Sequence, residues 1–269
     1  MMVKMIPDIQ IFVISLEDAV ARREPLLAQL DGFDLQYRVF SAVDGRNGLP
    51  SEFESSVDRD AALVNLLRPM ADVEYACALS HMGVYKLILS ANLKGAIVFE
   101  DDARLEPGFF ALLGRVDFEG IDMVMFNYGS ARVWRFGRKK TLVKDYYLLK
   151  LAHNTGLASA YYISARGAEF ILDNGLPVSL PADWPCDLRA LKPRLIYPRV
   201  ASEGGRGSQL EEARAFAKQA AAINIEGSSD IKRRRGLRDR TRNFIPWHYR
   251  WFSRIFMNNI PHRKRPLQS

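Results

Sequence analysis

Cysteine and histidine are scarce in this chain, two and four among 269 residues, and no Cys-x-x-Cys pair occurs. That scarcity argues against a structural zinc site, which draws its ligands from these residue types. Long apolar runs are missing as well: the best N-terminal one, Ile11 to Leu16, is bounded by Asp8 and Glu17. A bilayer-spanning helix takes about 20 predominantly apolar residues, so this run reads as a strand, and it is too short for a signal peptide. Lacking an export signal, the chain is expected to work in the reducing cytosol, with Cys77 and Cys186 as thiols. No internal repeat at a period of about 20 to 50 residues is present, and no low-complexity tract is longer than Lys232 to Arg235, which excludes solenoids and propellers.

Acid is what the C-terminal part lacks. Between Ile231 and Arg265 stand twelve Lys and Arg against a single Asp239. The whole chain carries +7, so setting that +11 aside leaves about −4 on everything else. The basic character belongs to a tail, placed as an attachment device on a mildly acidic body, with phosphate-bearing lipid or nucleic acid as the candidate surface. At 48% hydrophobic, the chain can bury a sizeable core, and the expected organisation is one domain over residues 1–230 with an appendage over 231–269.

Short β-rich runs alternate with helical patterns along that domain. Ile9–Leu16 reads as a strand and Glu17–Leu30 as a helix; Tyr37–Ala42 is a second strand, closed by the turn signal Asp44-Gly45. Glu74–Leu89 has helical length and period, with Ala76, Leu79, Gly83 and Lys86 on another side from Cys77, His81, Tyr85 and Ile88. Further strands are expected at Ala96–Phe99, Ile121–Tyr128, Ala158–Ser164 and Leu195–Pro198, with a helix beginning at Gly167–Leu172 and a surface helix at Gln209–Ile223. Strands separated by helices imply an α/β fold: a Rossmann-type, mixed but mostly parallel sheet flanked by helices, which binds ligands at the carboxyl ends of its strands.

The strongest local signal is the apolar run Ala96–Phe99 breaking into Glu100-Asp101-Asp102. Burying a carboxylate unpaired costs several kcal/mol, so the three acids must emerge at a strand end. If the extended geometry persists, Glu100 and Asp102 point one way and Asp101 the other. Two acids on one side suit a hard divalent cation, Mg²⁺ or Mn²⁺, which bridges a diphosphate and offsets its charge. The alternative is that the acids cap or ion-pair with a following helix.

Read in order, IFVISLEDAVARR (11–23), FSAVDG (40–45), EYACALSHMGVYKLI (74–88), AIVFEDDARL (96–105) and TGLASAYYISARGAEFIL (155–172) resemble glycosyltransferase family 25. The resemblance spans roughly residues 9–231 and rests on the order of several blocks more than on any one of them. It implies a GT-A-like fold, a nucleotide-sugar donor (often UDP-galactose), a divalent metal, and inversion at the anomeric carbon. It also implies roles. Glu100, Asp101 and Asp102 match the family's acidic donor motif, with Glu100 and Asp102 as the metal pair. Ser15, Arg22 and Arg23 match its first block, and Glu74, Ser80 and His81 its central helix. Asp183, in Leu180-Pro-Ala-Asp-Trp, resembles the Pro-x-Asp that follows the third block, and Ser229-Asp230 a late Ser-Asp-Ile element.

Each residue has a bland reading beside the functional one. Arg22 and Arg23 offer guanidinium forks to a phosphate or a base, or simply a solvated helix face. Asp44-Gly45 is a donor-site loop or a tight turn. Glu74, Cys77, His81 and Tyr85 share a helix face, where Glu74 and His81 contact ribose or acceptor hydroxyls or form a satisfied polar pair, and Cys77 is a small core residue. Asp183 is the best candidate for the base that takes the acceptor hydroxyl's proton, against a loop-capping role. His153-Asn154 and Asn127 are candidates for the sugar pocket, and Trp184 for the core.

In the tail, Asn243–Ile260 places Phe244, Trp247, Trp251 and Ile255 at helical spacing beside Arg250 and Arg254. With Lys232–Arg235 upstream, this reads as a basic amphipathic anchor on anionic lipid rather than a nucleic-acid binder, the alternative being a helix that closes the core. The functional expectation is an inverting hexosyltransferase, peripheral on the inner face of the cytoplasmic membrane, acting on a lipid-linked oligosaccharide. Another glycan acceptor or another nucleotide sugar is the nearest alternative within that chemistry, and a catalytically silent, membrane-associated sugar-binding or scaffold protein is the alternative from another class.

Overall fold

The computed structural model describes residues 9–134, 140–143, 145–152, 155–204 and 257–260. Their centre is an eight-stranded sheet in the order β2-β1-β3-β9-β5-β10-β8-β7. These are β1 (Ile9–Ser15), β2 (Tyr37–Ser41), β3 (Gly95–Glu100), β5 (Met123–Met125), β7 (Lys140–Val143), β8 (Tyr146–Lys150), β9 (Ala160–Ser164) and β10 (Arg194–Tyr197). β1 pairs in parallel with β2 and β3, and β5 with β10. β9 lies antiparallel between β3 and β5, and β8 antiparallel between β10 and β7. Most strands therefore share one direction, as the alternation of runs predicts, and β8 and β9 are the exceptions. Nothing in an apolar run such as Ala160–Ser164 encodes which way it is threaded.

The period-two alternation of β1 and β3 splits the core in two. Phe12, Ile14, Ala96 and Val98 face one layer, with α3 (Asp72–Ser90) and α5 (Ala165–Gly175). Ile11, Val13, Ile97 and Phe99 face the other, with Leu26 and Leu30 of α1 (Val20–Asp31) and Phe109 and Phe110 of α4 (Pro107–Leu112). Both faces of each strand are covered, which is why these segments read as continuous apolar runs. Each such side chain contributes about 1.5–3 kcal/mol of burial.

Helix α3 is more enclosed than a two-sided reading allows. Ala76 and Leu79 are as buried as His81, Tyr85 and Ile88, and Lys86 alone of the residues on either proposed side is exposed. The reason is that α3 packs under the sheet and also against α5, while Phe40 of β2 lies where a side chain at Gly83 would be, 2.6 Å from its Cβ position.

Three parts of the architecture go beyond the sequence reading. α2 (Arg59–Leu66) is capped by Asp58, whose carboxylate accepts from the Ala61 N–H at 2.8 Å. β4 (Ala103–Leu105) pairs with β11 (Ala201–Glu203) directly after the acidic cluster. β6 (Ala131–Trp134) pairs with β12 (Met257–Ile260), so the end of the aromatic C-terminal stretch is a strand on the body rather than a continuing helix. The proposed helix positions 244–255, the 209–223 segment and Ser229-Asp230 lie outside the described residues. Among the described residues no helix is long and apolar enough to cross a membrane.

Candidate functional site

Parallel pairing brings the carboxyl ends of β2, β1 and β3 to one edge, with Ser15 opposite Ser41 and Ile14 opposite Glu100. Because β9 runs the other way, the segment 155–159 arrives at the same edge, where the Glu100 N–H donates to Ser159 O at 2.9 Å. The result is a cleft of about 200 Å³ whose wall includes Ser15, Arg22, Asp44, Gly45, Glu74, His81, Glu100, Asp101, Asp102 and Asp183. All of these were singled out in the sequence. Of the named site residues that the structure describes, Arg23 and Asn127 are not part of that wall.

The extended geometry ends at Glu100, since residues 101 and 102 form a turn. The expected alternation of the three acids is thereby corrected: Asp101 and Asp102 converge on one guanidinium instead of facing apart. Arg22 places Nε 2.7 Å from Asp101 Oδ1 and Nη2 2.9 Å from Asp102 Oδ2. Ser15, buried at the end of β1, donates from Oγ to Asp101 Oδ2 at 3.2 Å. Asp101 is thus held at both oxygens. Asp102 is not: its Oδ1 is buried and has no hydrogen-bond partner among the described residues.

Energetics follow from that arrangement. Burial, then the neighbouring Glu100 charge, push the Asp102 carboxyl up to about 6, against the opposing pull of Arg22. Asp101 is also raised, by burial, with Arg22 and Ser15 working in the other direction. Burial disfavours the charge on Arg22, yet Asp102, Asp101 and Glu100 outweigh it and hold the guanidinium protonated. Three carboxylates converge here, Arg22 acting on all three and Arg104 also drawing the Asp102 carboxyl down.

Glu100 turns towards α3. His81 Nε2 lies 3.3 Å from Glu100 Oε1, and its Nδ1 lies 2.7 Å from Tyr161 Oη, which in turn is 2.7 Å from Tyr85 Oη. His81 is 2% exposed, so a buried file of four polar groups runs from the core to the cleft. Both tyrosines are pushed well above their ordinary values, by burial first, and so remain protonated donors. The sequence reading left His81 between ligand contact and satisfied polar pair; the geometry makes it the group that orients Glu100. Tyr161 was not singled out. It sits on β9, and only the antiparallel insertion brings it to α3.

Arg23 and Arg22 divide their labour. Arg23 Nη1 donates to Leu16 O at 2.9 Å, Glu17 O at 3.2 Å and Ser15 Oγ at 3.3 Å, bracing the β1–α1 turn while its neighbour reaches the acids. Asp44 accepts from the Arg46 backbone N–H at 2.9 Å and from its guanidinium at 2.6 Å, and Arg46 holds its carboxyl below the usual range. Gly45 is required by proximity: a Cβ there would stand 2.6 Å from Asp72 O and 2.8 Å from Ala76 Cβ. Ser80 fastens the same loop to α3, accepting from the Val43 N–H at 2.9 Å and donating to Ala76 O at 2.7 Å.

Glu74 lines the cleft, but its carboxylate is engaged by Arg68 at 2.6 and 2.7 Å and by the Ala71 N–H at 3.0 Å. It closes the first turn of α3, a contact invisible to helical periodicity. Asp183 faces the cleft and accepts from the Ala158 N–H at 3.2 Å. Asn127 is buried and donates to Ser159 Oγ at 2.8 Å, its Oδ1 having no hydrogen-bond partner among the described residues. Trp184 packs against the core. Neither cysteine is in a disulfide, and His153-Asn154 lie outside the described residues.

Two donor sets could receive a metal ion. The Asp102 oxygen that is buried without a hydrogen-bond partner among the described residues, with the Glu100 carboxylate acting on it, fits a hard oxygen-seeking cation. Separately, single ligand atoms of Cys77, His81 and Glu100 all lie within 4.8 Å of one another.

Comparison with known proteins places this geometry in context. The family model for glycosyltransferase family 25 (LPS biosynthesis protein) matches residues 8–184. A probable inactive glycosyltransferase 25 family member 3 from Bos taurus is 28% identical over 236 residues, covering 76% of this chain and 38% of that protein. Procollagen galactosyltransferase 1 from Danio rerio is 27% identical over 224 residues, covering 70% and 36%. The chain thus spans less than two fifths of the length of these relatives. Among solved structures, a glycosyltransferase involved in the glycosylation of the major capsid of PBCV-1 aligns over 62% of this chain and 66% of that one, at 11% identity and a TM-score of 0.31.

Proposed function

The chain belongs to glycosyltransferase family 25, and on that footing we propose that it is an active, inverting, GT-A-like hexosyltransferase using a nucleotide-sugar donor. UDP-galactose is the proposed donor, and a lipid-linked oligosaccharide such as lipooligosaccharide the acceptor. The observation that carries this reading is the Asp102 oxygen, buried at the cleft near Glu100 with no hydrogen-bond partner among the described residues. Such an oxygen costs on the order of 1–3 kcal/mol unless something binds it. Mn²⁺ or Mg²⁺ held by Asp102 and Glu100 would neutralise the diphosphate that leaves.

The chain's own residues supply the rest. Arg22, protonated and forked over Asp101 and Asp102, is placed to accept a donor phosphate as a second partner. The fastened loop 42–48 and the braced β1–α1 turn form the walls that hold the nucleotide. His81 keeps Glu100 in one orientation, so the carboxylate does not reorganise during transfer. Asp183, which also lines the cleft, takes the acceptor hydroxyl's proton as its oxygen attacks the anomeric carbon. The carbon–oxygen bond to the diphosphate breaks on the far face, and the nucleoside diphosphate departs with the electron pair.

The basic segment 231–269, as a peripheral anchor on the inner membrane face, would keep the cleft near its lipid-linked acceptor. A silent relative is the competing reading, favoured by the "inactive" names of several matched proteins. A panel of nucleotide sugars with and without Mn²⁺ separates the two. The expected result is metal-dependent donor hydrolysis or transfer, with Asp183→Asn lowering kcat by about 10²- to 10⁴-fold and leaving donor affinity in place. Binding of UDP without turnover of any donor would favour the silent reading, and indifference to every nucleotide would reject both.

A further inference from the structure

Cys77 and His81 lie four residues apart on α3, so their side chains stack on one face of the helix, and β3 delivers Glu100 to the same point. The three ligand atoms, a sulfur, an imidazole nitrogen and a carboxylate oxygen, fall within 4.8 Å of one another. This is not a set that a hard cation selects. Mg²⁺ and Mn²⁺ prefer oxygen throughout, whereas thiolate with imidazole and carboxylate suits a borderline-soft ion.

The distances sharpen the point. Tetrahedral Zn²⁺ with metal–nitrogen and metal–oxygen bonds of about 2.0–2.2 Å separates those two donors by about 3.3–3.5 Å. His81 Nε2 and Glu100 Oε1 already stand 3.3 Å apart. A metal-binding imidazole also needs a partner for its other nitrogen, and His81 Nδ1 has one in Tyr161 Oη at 2.7 Å. Either tyrosine of the Tyr161–Tyr85 pair can be the donor in their contact. Tyr161 can therefore accept from Nδ1–H and pass its own proton towards Tyr85, leaving the Nε2 lone pair for a metal. All three ligands border the cleft, so a fourth coordination position opens onto it.

We propose that Cys77, His81 and Glu100 form a binding site for a borderline-soft divalent cation, Zn²⁺ foremost, with Tyr161 as its outer partner and one position left to solvent. Binding forms the sulfur–metal bond as the Cys77 thiol gives its proton to solvent; no oxidation occurs. The site shares Glu100 with the proposed donor-site pair. If the transferase reading holds, loading it withdraws Glu100 from the donor cation, making Zn²⁺ an inhibitor. The binding itself does not depend on that reading.

Cobalt(II) is the probe, because a thiolate ligand gives it an intense charge-transfer band and tetrahedral geometry gives it strong visible bands. Cys77 and Cys186 are the only cysteines in the chain, so the band reports on one or the other. The full-length protein titrated with Co²⁺ should show both features at one equivalent, with Zn²⁺ displacing them. Cys77→Ala should abolish the charge-transfer band, Cys186→Ala should keep it, and Tyr161→Phe should weaken affinity by about 10- to 100-fold. Circular dichroism of each variant checks that the fold persists. Absence of a charge-transfer band in the parent protein would overturn the proposal, as would a band that survives in Cys77→Ala or one lost only in Cys186→Ala.

Discussion

Replacing Asp102 by Asn should make the metal-free protein more stable, not less. Asp102 is pushed up to about 6, by burial first and then by Glu100, with Arg22 pulling the other way. That is about two units above an ordinary Asp, and at about 1.4 kcal/mol per unit it makes the ionised group unfavourable by on the order of 2–3 kcal/mol in the native state. Its side chain is 17% exposed, so solvent removes little of this. The direction with pH follows from the raised value. Below about 4 the group is protonated in both states and contributes nothing. As pH rises from about 4 to about 6 the unfolded chain ionises first, native stability falls, and above about 7 the loss is complete. Asn keeps an acceptor for Arg22 and abolishes the charge. At pH 8 in chelator, the Asp102→Asn variant should melt roughly 4–12 °C above the parent, using about 2–4 °C per kcal/mol for a chain of this size. At pH 4.5 most of that gain should vanish. Thermal denaturation by circular dichroism at both pH values measures it. A variant no more stable than the parent at pH 8, or one whose gain is equal at both pH values, would refute the claim that this carboxylate is held at a cost.

Three further outcomes are expected. Arg22→Met should weaken nucleoside diphosphate affinity by about 10- to 100-fold in calorimetric titration, the loss of a charge-assisted bond, while Arg23→Met should chiefly lower the melting temperature because it braces backbone carbonyls. Gly45→Ala should destabilise by about 1–3 kcal/mol in denaturant unfolding, since its Cβ would meet Asp72 O at 2.6 Å. Changing Lys232, Arg233, Arg234 and Arg235 to Gln should reduce sedimentation with anionic liposomes while leaving turnover of a soluble acceptor intact. This substitution is preferable to truncating the tail, which would also remove the β12 strand from β6.

What the sequence disclosed depended on how local the physics was. β1, β3 and α3 were legible because each is a long apolar or periodic segment buried on every side, and the acids after Phe99 could lie only at a strand end. Convergence of Ser15, Arg22 and Glu100–Asp102 followed, because parallel neighbours finish on one edge. The direction of β9 was not legible, so neither was Tyr161 as the partner of His81. The strands β6 to β8 mix charged and aromatic residues at the sheet margin and show no clean alternation. The engagement of Glu74 was not legible for a different reason: its partner Arg68 comes from the loop before α3, where helical spacing carries no information.

A purely parallel sheet equips its ligand edge solely with segments that leave strands. Here the reversed β9 lets a segment that enters a strand reach that edge too, with Ser159 tied to Glu100 and Ala158 to Asp183. One wall of the pocket can therefore be exchanged, by grafting residues 155–159 from a relative, without disturbing the loops after β1, β2 and β3 that cradle Arg22 and the acids. On the proposed transferase reading, recipient choice and donor handling would then be separable modules of a single scaffold.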